Sequence, residues 1–321
     1  MTMNRTSRLA HFPISWFAII MGLSGLTIAW EKSEAIFRHG ISIAPYLLAL
    51  TALFFVILLI GYGLKLARYR AAVIKELSHP VKLSFFPTIS VSLILLSIAT
   101  LHSAHALSQV LWIAGTALHL LFTLYVLAVW INHEHFQIQH INPAWFIPVV
   151  GNILVPIAGV AHGYTEISWF FFSVGLVFWV VLMTIIFYRV IFRQPLPGKL
   201  VPTFFILIAP PAVGFISYMK LTGALDAPAR ILYYFGLFLT LLLSTQVLRF
   251  ARLRFFLSWW AYSFPLAAIT IACMVMYQNL GGPFFRLLSL ALLTVLTTVI
   301  LLLVWRTLVA VRRHEICVEE D

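Results

Sequence analysis

Ten stretches of this chain, 12–30, 43–64, 83–101, 106–129, 145–161, 167–188, 200–219, 231–248, 255–277 and 287–305, contain no Asp, Glu, Lys or Arg. Crossing the hydrocarbon core of a bilayer takes ~20 apolar residues in a helix, because lipid cannot bond the backbone and each N–H and C=O must be satisfied within the protein. Each stretch is near that length. Soluble domains carry about 25% charged residues, whereas here the charged fraction is 10% and the mean hydropathy +1.00. The fold class expected is therefore all-α and integral to the membrane, with ten transmembrane helices. The first stretch follows Arg5 and Arg8 but is too long for a signal h-region and lacks a small-x-small cleavage pattern, so it is expected to stay as a membrane helix.

The connections are short and hold no Pro/Ser-rich linker, which predicts a single domain over 1–321 with tails 1–11 and 307–321. Sixteen of the 21 Lys and Arg fall on the N-tail, the connections after the second, sixth and eighth spans, and the C-terminal end. The other side holds Lys32, Arg38, Lys220, Arg230 and Arg286. By the positive-inside rule both termini are expected in the cytoplasm, as an even span number requires. The net charge of +11 is read as this topology signal and not as a nucleic-acid surface. Cys273, inside the ninth span, and Cys317, in the tail, are too far apart in this topology to pair.

Prolines set the internal rhythm. They fall inside or at the mouth of odd-numbered spans, at Pro13, Pro87, Pro148, Pro156, Pro202, Pro210, Pro211 and Pro265, and only at or before the start of even ones, at Pro45, Pro228 and Pro283. Within W-W-A-Y-S-F-P (259–265), Pro265 is expected to release the carbonyl of Ala261 and bend the helix. Exposed backbone at membrane depth is tolerated only against protein or a water-filled path. The alternation predicts five helical hairpins, each with a bent member facing an interior and a straight member facing lipid. Ser84, Thr88 and Ser92 form a stripe, but hydroxyls in membrane helices commonly bond their own backbone.

A proton-coupled carrier generally needs an ionisable relay in the membrane, and the ten spans offer only His119. Passive conduction is the simpler expectation. Small residues such as Gly22, Gly25, Gly151 and Ala267 would let backbone line a path, and Phe264 beside Pro265 could close it by dewetting. Anion preference would have to come from the mouth where Lys65, Arg68, Arg70, Arg189, Arg249, Arg252 and Arg254 gather, and from donors along the wall, so composition leaves the sign open. His133, Glu134, His135 and His140 read as a solvated loop, because spacing i, i+2 does not put two histidines on one helix face and no cysteine joins them. No catalytic motif is present, so neither an enzyme nor a metal or other cofactor is expected.

The blocks F-P-I-S-W-F-A-I-I-M-G-L-S-G-L-T-I-A-W (12–30), S-H-P-V-K-L-S-F-F-P (78–87), P-V-V-G-N (148–152) and W-W-A-Y-S-F-P (259–265) resemble the tellurite-resistance/dicarboxylate transporter family, which includes plant slow-type anion channels. That resemblance implies five hairpins in quasi-five-fold array, anion conduction through the inner five helices, and a homotrimer with a pore in each subunit. It implies Phe264 as the residue occluding the pore, with Phe17 as another pore-facing aromatic and Phe85, Pro87, Pro148, Asn152, Pro210, Pro211, Ser263 and Pro265 lining or bending the path. Small inorganic or carboxylate anions and the lipid of a cell inner membrane are the partners implied. The alternative it carries is a secondary transporter of dicarboxylates such as malate or oxyanions such as tellurite.

Overall fold

The computed structural model describes residues 8–38, 40, 42–132 and 136–317, and Arg5, His133, Glu134 and His135 lie outside them. Every regular element among the described residues is helical. A 3-10 turn, Ile14–Trp16, leads into α1 (Phe17–Phe37), followed by α2 (Ala44–Arg68) and a short α3 (Arg70–Leu77). A second 3-10 stretch, Lys82–Phe85, precedes α4 (Thr88–Thr100), and α5 (His105–Asn132) returns. The fifth segment alternates: 3-10 at Pro143–Trp145, α6 (Phe146–Val150), 3-10 at Gly151–Leu154, α7 (Val155–Gly159), then the long α8 (Thr165–Phe192). Gly198–Ile208 is 3-10 and runs into α9 (Ala209–Thr222), with α10 (Ala227–Ser244) and a short α11 (Val247–Ala251) behind it. Leu257–Tyr262, again 3-10, opens α12 (Ser263–Leu280), and α13 (Pro283–Arg312) ends the chain.

Nine of these segments are long and apolar enough to cross a membrane, and the fifth, Pro143–Gly159, is shorter. Its composite helix explains how the shorter segment reaches. A 3-10 helix rises about 2.0 Å per residue against 1.5 Å in an α-helix, so its mixed turns extend to about 29 Å, close to the thickness of the hydrocarbon core.

The proline alternation corresponds to a difference in helix type. Each odd segment begins in 3-10 geometry and changes to α, while α2, α5, α8, α10 and α13 run through their membrane length uninterrupted. Burial divides the same way. Between 61 and 83% of the membrane-length core of each long odd segment is buried, against 22 to 39% of each even one. At Pro265, where a bend is expected, the winding of the helix changes from 3-10 to α. Pro265 is the third residue of α12, Pro210 and Pro211 are the second and third of α9, Pro148 is the third of α6, Pro156 the second of α7, and Pro87 immediately precedes α4. The first turn of an α-helix is where a missing N–H costs least, so the prolines mark where 3-10 gives way to α.

Packing closes the odd segments into a ring. α1 contacts α4 and α12, α4 contacts the fifth segment, α7 contacts α9, and α9 contacts α12. Each even helix fills the outer groove between two of them: α2 between α1 and α4, α5 between α4 and the fifth segment, α8 between that segment and α9, α10 between α9 and α12, and α13 between α12 and α1. The α1–α12 seam is the tightest, because Gly22 lets Ser263 approach until a Cβ there would sit 2.2 Å from its Oγ.

Two of the seven cations expected to attract anions are structural. Lys65 is 1% exposed, pairs with Glu76 at 2.7 Å and donates to the Phe12 carbonyl at 2.8 Å, while Tyr62 donates to the same Glu76 carboxylate at 3.0 Å. Arg189 is also buried and donates to the Gln194 carbonyl. Burying an unpaired charge is costly, and α3 supplies the carboxylate that Lys65 needs.

Candidate functional site

The ring encloses a cavity of about 50 Å³ to which all five odd segments contribute. Met21 enters from α1, Val91 from α4, Phe146, Ile147, Val150, Gly151, Ile153 and Leu154 from the fifth segment, Ile206, Ala209, Pro210 and Val213 around the start of α9, and Phe264 from α12. The lining carries no charged side chain. A volume of this size holds little more than a water or two, and an apolar wall offers such water no partners.

Phe264 is the second residue of α12, half-buried between the fully buried Ser263 and Pro265. It lies at the level where the 3-10 stretch ends, and a Cβ on Gly25 would meet its ring at 3.4 Å. Ser263 donates to the Trp260 carbonyl at 2.5 Å and packs against Gly22, so it serves the α1–α12 seam.

The other expected residues divide. Pro210 reaches the cavity, and Pro211 is buried outside the lining. Phe17 is 0% exposed and stands edge-on to Phe55 at 6.1 Å and Tyr62 at 6.2 Å, in an aromatic cluster joining α1, α2 and the start of the third span. Phe85 is half-buried between that cluster and the main core. Pro87 gives its carbonyl to the Ser90 hydroxyl at 2.8 Å and the Val91 N–H at 2.9 Å. Neither Pro148 nor Asn152 lines the cavity: the Pro148 carbonyl accepts from the Thr123 hydroxyl at 2.7 Å, and the Asn152 amide donates to Thr123 Oγ1 at 3.0 Å and the Val149 carbonyl at 2.6 Å.

His119 belongs to this polar knot behind the wall. Ser90 Oγ lies 2.8 Å from the Pro87 carbonyl and 2.9 Å from His119 Nδ1. His119 Nε2 and Asn152 Oδ1 are buried without a hydrogen-bond partner among the described residues. Gly151 separates the imidazole from the cavity, and a Cβ at Gly151 would come within 2.8 Å of the ring. Elsewhere, His140 accepts from the Gln137 N–H at 3.1 Å, and no group of three or more His, Cys, Asp or Glu converges among the described residues. Thr88 and Ser92 bond carbonyls of their own segment, at Phe85 and Thr88.

Reading the prolines found Phe264 and Pro210 but not Met21, Val91, Val150 or Val213. Helical spacing from the proline sites reaches Val91, four residues after Pro87, and Val213, three after Pro210, but not Met21 or Val150, since a segment apolar on every side carries no polarity contrast to say which face turns inward.

Residues 11–308 match the profile of a family described as voltage-dependent anion channel. Among similar proteins, the S-type anion channel SLAH2 of Arabidopsis thaliana is 28% identical over 291 residues, covering 88% of this chain and 56% of that protein. An uncharacterized transporter of Methanocaldococcus jannaschii is 28% identical over 299 residues, 86% of this chain and 87% of its own. The tellurite resistance protein TehA homolog of Haemophilus influenzae is 25% identical over 281 residues, 87 and 85% of the two chains. The chain thus spans about half the length of this plant relative and most of the archaeal and bacterial ones.

Proposed function

Because the chain belongs to the voltage-dependent anion channel family, whose members resembling it are named as anion channels or transporters, we propose that it is a passive channel for small anions whose axial path is occluded by the ring of Phe264. The observation that carries this reading is the position of Phe264: the one partly exposed residue between Ser263 and Met274 of α12, it borders the cavity on which five inner segments converge. An aromatic ring at an apolar constriction keeps the path dry, and moving it admits water and ions together.

One feature supports a channel over a carrier: the cavity wall carries no ionisable group to couple anion movement to protons. A carrier for oxyanions or dicarboxylates is the second reading, favoured by the transporter and tellurite-resistance names among the relatives. Assembly as a homotrimer with one path per subunit belongs to the same proposal and is supported by the ring closing within one chain. So does a cell inner membrane location with both termini in the cytoplasm, which the sixteen basic residues on one side support.

The test is the current through reconstituted Phe264→Ala. Removing the ring is expected to raise chloride conductance by about tenfold or more, with a reversal potential in asymmetric salt that follows the anion. Conductance unchanged from the parent rejects Phe264 as the occluding residue. A saturating flux that requires a proton gradient would favour the carrier.

A further inference from the structure

Three of the inner helices carry their cavity-facing stripes up to polar side chains. On α1, Met21 lines the cavity, and Gly25, Ile28 and Lys32 follow at helical spacing. Val213 lines it on α9, and Lys220 lies seven residues on. On α12, Phe264, Ile271 and Gln278 repeat at the same interval. At 100° per residue each terminal member lies within about 40° of the lining residue that starts its stripe. α9, α12 and α1 are successive members of the ring.

Lys32 and Gln278 meet toward the C-terminal ends of these helices, with Lys220 near enough to act on Lys32 through its charge. Lys32 Nζ donates to Gln278 Oε1 at 2.7 Å, and Lys220 acts electrostatically on Lys32. Because the Gln278 oxygen faces an ammonium, its NH2 group keeps both donors, with no bond to another group among the described residues. No carboxylate lies within ion-pair distance of either lysine among the described residues. Glu31 acts on Lys32 from a distance but sits 3.8 Å from His102, and Glu34 is committed to the backbone N–H groups of Ile43 and Ala44 and the Ser42 hydroxyl. Parallel helices present the negative ends of their dipoles at this mouth, which would repel an anion. Two ammonium groups held near one another reverse that sign locally.

We propose that Lys32, Lys220 and the Gln278 amide form a binding site for a small inorganic anion at the mouth where the inner α-helices end, concentrating the permeant ion before it enters the path. The site rests on the axial path proposed above and adds a station to it. Lys32 lies eleven residues beyond Met21 on α1 and Lys220 seven beyond Val213 on α9, so the cations stand outside the apolar cavity lining.

The test compares Lys32→Gln/Lys220→Gln with its parent, both carrying Phe264→Ala so that current is measurable. At about 20 mM chloride the double substitution is expected to lower conductance roughly three- to tenfold, and at about 1 M the two should agree within about twofold, since a Debye length near 3 Å screens the mouth. Lys32→Arg/Lys220→Arg should keep the low-salt current. Equal low-salt conductance in the Gln variant overturns the site. Should Phe264→Ala pass no anion, the channel reading fails, and anomalous diffraction from bromide-soaked crystals of the unsubstituted protein decides this inference separately. Bromide between the two ammonium groups, lost in the Gln variant, upholds the site, and no bromide there refutes it.

Discussion

At Gly22 the chain tolerates no methyl group: a Cβ would lie 2.2 Å from Ser263 Oγ and 2.7 Å from Ser263 Cβ. Rotating the hydroxyl relieves the first contact but leaves the second, so α1 and α12 would have to separate. Overpacking of this kind costs about 1–3 kcal/mol. Gly22→Ala is therefore expected to lower the midpoint of thermal unfolding in detergent, and Gly22→Ala/Ser263→Gly to restore it; an unchanged midpoint in the single variant would contradict the contact. The sequence offered Gly22 as backbone lining a path; the structure instead packs it against Ser263 and Trp260, outside the cavity lining. Phe264 and Phe17 show the same boundary of what sequence can say. Both are phenylalanines in apolar helices, yet one borders the cavity and the other is sealed at 0% exposure against Phe55 and Tyr62. Their difference is a rotation about the helix axis, fixed by neighbours distant in sequence.

Proline spacing carried the alternation of inner and outer helices into the sequence but not the change of winding that goes with it. A proline in the interior of an α-helix costs ~3 kcal/mol or more, and the chain avoids that cost by placing Pro265 in the first turn of α12, after six residues of 3-10 helix. Pro265→Ala separates the two pictures. If the proline interrupted a continuous helix, alanine would stabilise the protein by about 3 kcal/mol; at a first-turn position the change is expected to stay within ~1 kcal/mol. Equilibrium unfolding in mild denaturant and detergent reads the difference. The change from 3-10 to α could not be foreseen from composition, because Leu257–Tyr262 holds ordinary helix formers and aromatics, and its tighter winding is set by the ring it packs in.

Across the whole molecule, membrane character and the alternation of buried and exposed helices were legible because charge is excluded from long windows and proline is confined to the starts of alternate ones. The cyclic order was not, since it depends on which outer groove each even helix fills. Each chain completes its own ring, so association must use the outer surface, and a trimer is expected to show a protein mass near three times 36.3 kDa by light scattering after correction for detergent. A mass of one chain would reject it. Ring closure also sets an order on biogenesis. The face of α1 that holds Gly22 and Gly25 is covered by α12, whose hairpin leaves the ribosome after the four before it. Until that pair inserts, the first hairpin waits beside an open cleft with its glycines toward lipid, so nascent chains halted after α11 should be the ones that quality-control proteases recognise.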